Sequence, residues 1–178
     1  MMNLEDRRIR HVLRAATTDD HLRVDASFSH FSLASPKSYR SFLRAHARAL
    51  GAIEPAARPY ASRLTLLADD LAVLGDRMPD SAPWTMEEGE GFRWGLLYTL
   101  EGSRLGGAML ARRVGPGLPH RYLSAAHEKG EWVAFQHALD VAAMRADEDW
   151  VDAAVRGAST AFALFADAAR VEQAVTHG

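Results

Sequence analysis

Apolar residues recur along this chain at helical spacing (i, i+3, i+4, i+7), and almost nowhere at the alternating spacing of a half-buried strand, so the pattern predicts an all-α fold. A first helix is expected from an Asn3 cap past His21 towards Ala26. It carries a weak patch at 17–20, where threonine and aspartate side chains compete for backbone hydrogen bonds. Ser35 followed by Pro36 opens a second helix through Tyr39 and Phe42 to Leu50. Pro59 restarts the chain, and a third helix carries Leu64, Leu67, Leu71 and Leu74 on one face up to Gly75. Residues 76–83 read as a loop. Thr85 and Glu88 have the spacing of a capping box for a long helix to about Val114, which Gly115-Pro116-Gly117-Leu118-Pro119 ends. Helical segments through Tyr122 and from 131 to about 146 follow, then an Asp147-capped terminal helix from 148 to near 171. No repeat, low-complexity tract or linker divides the chain, so residues 1–178 are expected to form one domain.

The long helix departs from its own pattern in Leu97-Tyr98-Thr99-Leu100-Glu101-Gly102-Ser103-Arg104-Leu105-Gly106-Gly107. Each glycine costs a helix interior roughly 0.8–1 kcal/mol relative to alanine, about 2.5–3 kcal/mol for the three, so something requires bare backbone there. At about 100° per residue, Gly102 and Gly106 share a face and Gly107 lies one step round. A neighbouring helix or a flat ligand could touch the main chain in that groove. The Gly102 to Gly106 spacing suits helix packing, while adjacent glycines also let a helix bend and uncover N–H and C=O groups.

A second segment, Leu13-Arg14-Ala15-Ala16-Thr17-Thr18-Asp19-Asp20-His21-Leu22-Arg23-Val24-Asp25, places Asp25 one turn after His21. At that spacing a carboxylate can fix the imidazole tautomer and strengthen the ring as a metal ligand; taken alone, the pair reads rather as a surface or helix-lining histidine with an acidic neighbour.

The glycine run resembles the distal helix of heme oxygenases, whose bacterial members carry Leu-Tyr-x-x-Glu-Gly-Ser-x-Leu-Gly-Gly. The N-terminal segment resembles the proximal helix of the same family, Leu-(Lys/Arg)-x-x-Thr-x-x-x-His-x-x-x-(Glu/Asp). Ala158-Ser159-Thr160-Ala161-Phe162-Ala163-Leu164-Phe165 resembles its last long helix, which lays an aromatic against the porphyrin edge, here Phe162. The resemblance implies a single-domain helical bundle with heme between a proximal helix and a kinked, glycine-rich distal helix. It makes His21 the iron ligand, with Asp25 behind it, and sets Gly102, Ser103, Gly106 and Gly107 at the reacting face. The implied reaction is oxidative cleavage of heme to biliverdin, carbon monoxide and ferrous iron, using O2 and electrons from a separate ferredoxin or reductase. A bilin-binding phytochrome is an implied acceptor of the product.

Vertebrate-type members carry aspartate directly after the first glycine, where this chain has Ser103; that serine reads as a water-holding residue or as a small residue that permits packing. Glu101 and Arg104 are candidates for the proton relay. Heme propionates call for cations, for which Arg14 is the first candidate and Arg156 the second, with Tyr98 as a hydrogen-bond donor or a core tyrosine. A non-catalytic heme-binding or sensor protein on the same scaffold is the alternative reading.

The chain has 178 residues, 48% hydrophobic and 25% charged, with a net charge of −2, which gives nucleic acid no basic footprint. The absence of cysteine excludes disulfides, zinc–thiolate sites, iron–sulfur clusters, thiol catalysis and thiolate-ligated heme. No apolar signal core or membrane-length apolar segment is present, so a cytoplasmic protein without a membrane anchor is expected. His11, His30, His46, His120, His127, His137 and His177 have no metal-site spacing and read as surface or capping residues. Phe28 and Phe31 read as core or as one edge of the slot.

Overall fold

Polar side chains at 17–20 divide the first helix in two. Thr17 leaves helical geometry (φ −110°, ψ 11°). Its hydroxyl donates to the Leu13 carbonyl at 2.7 Å and that of Thr18 to the Arg14 carbonyl at 2.9 Å, occupying acceptors at a helix end. The computed structural model describes residues 8–177, so the Asn3 cap lies outside the described residues. Among those residues it is all-helical: α1 (Ile9–Ala16), α2 (Thr18–Phe28), α3 (Pro36–Ala57), α4 (Leu64–Val73), α5 (Glu90–Ala111), α6 (Glu131–Ala142), a 3-10 turn (Ala143–Arg145) and α7 (Glu148–His177).

The break at Thr17 lets the two halves do different things. α1 buries Ile9 and Leu13 against Leu139, Ala154 and Ala158. α2 buries none of its own residues and lies over α7 as one wall of a cavity. Helices α5 and α7 form the centre of the bundle and meet backbone to backbone: a Cβ on Gly95 would overlap the Ala154 carbonyl, and one on Gly157 the Phe92 carbonyl. Around them Leu43, Leu50, Ile53, Leu67, Leu71, Leu96 and Leu100 make the main core.

Several expected boundaries shift. α3 runs past Leu50 to Ala57, with Pro55 in its final turn, and stops where Arg58 adopts a left-handed conformation (φ 51°). α5 starts at Glu90, so Thr85 and Glu88 cap nothing: the preceding segment is strapped to α3 by Ala82 N–H donating to the Arg48 carbonyl at 2.9 Å, and Trp84 stacks on Phe92. α5 ends at Ala111 rather than Val114. Tyr122 lies in turns, because the buried Asp70 carboxylate takes the Arg121 and Tyr122 N–H groups (3.2 and 2.9 Å) away from any helical pattern. The Asp147 cap forms, its Oδ1 accepting from Trp150 N–H at 2.8 Å. α7 runs beyond Val171, because Glu172 is buried between Arg44 and Arg48 of α3.

Candidate functional site

A cavity of about 740 Å³ opens between α1–α2 and α5, within the ~300–1,000 Å³ range of small-molecule sites. Phe162 and Phe165 of α7, Phe42 and His46 of α3, and Trp132 and Gln136 of α6 complete its lining.

His21 stands in the α2 wall, edge-on to Phe162 with ring centroids 5.8 Å apart. Its Nδ1 lies 3.1 Å from Asp25 Oδ2, so this aspartate reaches the ring directly although it is one methylene shorter than glutamate. Nε2 is then the nitrogen left for a ligand.

Gly102 and Gly106 line the facing wall, and a Cβ built on either meets nothing within 4 Å. Helix packing therefore does not account for these two. Gly107 is different and corrects the sequence reading: it is buried away from the cavity, and its Cβ would stand 2.7 Å from the Leu123 carbonyl oxygen, so it serves packing against the 120s segment.

Ser103 lines the cavity, and its hydroxyl donates to the Leu100 carbonyl at 2.6 Å. It accepts from Arg63 Nη2 at 2.8 Å. Arg63 is buried, donates to the Leu100 carbonyl as well (3.1 Å), and lies over the Tyr122 ring. The Tyr122 hydroxyl bonds His46 Nδ1 at 2.7 Å. Burial first, and the Arg63 charge second, hold the His46 imidazole down to about 3, so it is neutral near pH 7. His46 is thus a cavity wall rather than a surface residue. Its signal in the sequence is its place on the Phe42, His46, Leu50 stripe of α3; nothing in the sequence singled out Arg63.

Glu101 and Arg104, expected as relay candidates, do not line the cavity. Glu101 Oε2 meets His127 Nε2 at 2.7 Å and Arg104 Nη1 at 3.2 Å. His127 is correspondingly buried, its side chain 6% exposed, and is another histidine wrongly read as surface.

Arg14 and Tyr98 both line the cavity, together with Arg10 and His11. Burial pushes the Tyr98 phenol up, and the Arg14 charge works against that shift. Arg156 lies elsewhere, bonded to Glu87 at 2.7 Å and half exposed. It does not line the cavity, because α7 turns it towards the segment before α5. Phe28 lines the cavity and Phe31 belongs to the core.

The described residues hold no cluster of three or more metal-ligating side chains. One imidazole sharing a cavity with bare backbone suits a flat ligand whose metal already has its other donors. The cavity's aromatic lining and the cations on α1 suit an apolar ring with acidic substituents.

No helix among the described residues is long and apolar enough to cross a membrane. No protein-family model matches the chain. The fold is similar to that of the heme oxygenase from Neisseria meningitidis solved with NO and CO bound, with a TM-score of 0.76, 24% identity, and 93% of this chain and 92% of that one covered. The sequence is 35% identical over 149 residues to a heme oxygenase of Xanthomonas campestris pv. campestris (strain 8004), covering 72% of this chain and 86% of the relative. By that identity over most of both sequences, the chain belongs to the heme oxygenase family.

Proposed function

We infer that this chain is a heme oxygenase, which opens its substrate heme to biliverdin, carbon monoxide and ferrous iron, and that residues 1–178 act as one domain. The observation that carries this reading is the pair of side-chain-free positions, Gly102 and Gly106, open to the same cavity as His21. When bound, heme supplies the iron that activates O2 and the ring carbon that is oxidised. The protein's part is to bind, orient and manage protons.

His21 would hold the heme iron through Nε2, and the Asp25 carboxylate, 3.1 Å from Nδ1, would favour the tautomer with its proton on Nδ1 and make the ring a stronger donor. Gly102 and Gly106 leave open space in the cavity that would admit a small diatomic molecule beside the bound heme. The hydrogen of Ser103 is committed to Leu100, so towards the cavity the serine offers a lone pair that can hold a water. Arg14 and Tyr98 pair with the propionates, with Arg10 and His11 beside them. Electrons come from a separate reductase or ferredoxin in the cytoplasm, and a bilin-binding phytochrome is the proposed acceptor.

The test is turnover. Supplied with heme, O2 and a ferredoxin-type reducing system, the protein should release carbon monoxide and a green bilin with catalase present. Heme that survives repeated reductive cycles would reduce the protein to a heme carrier.

A further inference from the structure

Glu101 and His127 form a buried contact outside the cavity that the reaction above does not use. Glu101 is the residue immediately before Gly102, and its Oε2 lies 2.7 Å from His127 Nε2. That distance to a carboxylate oxygen requires the imidazole hydrogen on Nε2. The other ring nitrogen, Nδ1, is buried with no hydrogen-bond partner. His127 therefore has one polar contact, and it points at the glycine segment.

The ring of His127 has a second neighbour. Trp132, at the start of α6, places its ring centroid 5.6 Å from that of His127 and 5.6 Å from that of Phe135. Trp132 is itself part of the cavity lining. Helices α5 and α6 also meet directly, Trp94 against Phe135 with ring centroids 6.2 Å apart and Arg104 Nη2 3.7 Å from a Glu131 carboxylate oxygen, whereas the His127 contact is the one that leads from Glu101 to Trp132. One imidazole thus spans from the distal backbone to an aromatic on another wall of the same cavity. Arg104 supports the same join, donating to Glu101 and to the Ala125 and Ala126 carbonyls at 3.1 Å each.

We propose that His127 is a positioning residue of the heme slot: its hydrogen bond to Glu101 sets the spacing between the Gly102 backbone and the Trp132 wall. The proposal rests on the heme reading for the slot's occupant, while the latch itself is a property of the protein without heme. Arg104 continues to hold both Glu101 and the 125–126 carbonyls when His127 is replaced, so the bundle keeps its fold and only the spacing loosens.

The experiment compares His127→Leu, which removes the donor, with His127→Gln, whose amide N–H reaches the Nε2 position. Amide hydrogen exchange on the heme-free protein reads the latch: His127→Leu should speed exchange at 101–104 and 125–132, and His127→Gln should restore protection. Titration with ferric heme reads the slot. His127→Leu should bind about tenfold or more weakly, and His127→Gln within about threefold of wild type, as expected for one charge-assisted hydrogen bond.

Wild-type exchange and heme affinity in His127→Leu overturn the proposal. So does a glutamine variant as impaired as the leucine one, since ring packing alone would then matter. If His127→Leu does not fold, Glu101→Gln, which weakens the acceptor and keeps the shape, replaces it against the same two outcomes. Failure of the wild-type protein to bind heme would defeat the heme reading, with the latch still decided by exchange.

Discussion

The His21 imidazole and the Asp25 carboxylate meet with 3.1 Å between Nδ1 and Oδ2, one helical turn apart on α2. Both side chains are more than half exposed, so the pair on its own adds little to stability. Its effect is on the other nitrogen: a carboxylate on Nδ1–H raises electron density at Nε2, and loss of such a partner costs about 10–100-fold in metal affinity. Asp25→Asn should weaken ferric heme binding within that range and lower the iron–histidine stretching frequency of the ferrous complex. An unchanged frequency would show that the pair does not act on the ligand.

The glycines of α5 separate by what a side chain would meet. Gly106→Leu projects into open cavity, and in a helix it gains up to about 1 kcal/mol of propensity over glycine. The variant should be as stable as wild type or slightly more so, yet fail to take up heme. Gly107→Ala should behave in the opposite way: its Cβ would crowd the Leu123 carbonyl at 2.7 Å, a strain of about 1–3 kcal/mol, while heme still binds. Chemical denaturation and heme titration of the two variants check both halves.

The glycine segment shows how far sequence carries and where it stops. Three glycines in an apolar helix announce a need for bare backbone, and helical geometry places Gly102 and Gly106 together. Sequence could not tell Gly107 from them, because its contact, the Leu123 carbonyl, belongs to a segment of turns fixed by the buried Asp70. The weak patch at 17–20 was legible as competing threonines. That it breaks the helix depended on Thr17 and Thr18 both bonding back to α1 carbonyls. Arg63, His46 and His127 were misread or unseen, since their partners (Ser103, Tyr122 and Glu101) lie far along the chain. Local periodicity carries no record of such pairings.

Of the two arginines assigned to the propionates, Arg14 lines the cavity and Arg156 is engaged with Glu87 outside it. Arg14→Glu should weaken heme binding and shift the ratio of bilin isomers, because propionate anchoring sets the rotation of the ring in its slot. Arg156→Glu should leave both unchanged. Equal behaviour of the two variants would remove Arg14 from the site.

His46 makes stability depend on pH in a definite direction. The Phe28, Phe42 and Phe165 rings surround it at centroid distances of 4.7, 4.4 and 5.4 Å, its Nδ1 is occupied by Tyr122, and the Arg63 cation stands behind that tyrosine. Its folded pKa of about 3 lies below the ordinary 6.5. Between those values the unfolded chain binds a proton that the folded chain refuses, so this residue's contribution is full above pH 6.5 and is lost progressively as pH falls towards 3. Urea midpoints of the heme-free protein should therefore drop on going from about pH 7.5 to about pH 5. His46→Asn, whose amide takes the place of Nδ1, should flatten that drop while the carboxylates contribute equally in both proteins. Parallel pH profiles for the two proteins would mean that the cavity admits a protonated imidazole, against the burial described for it.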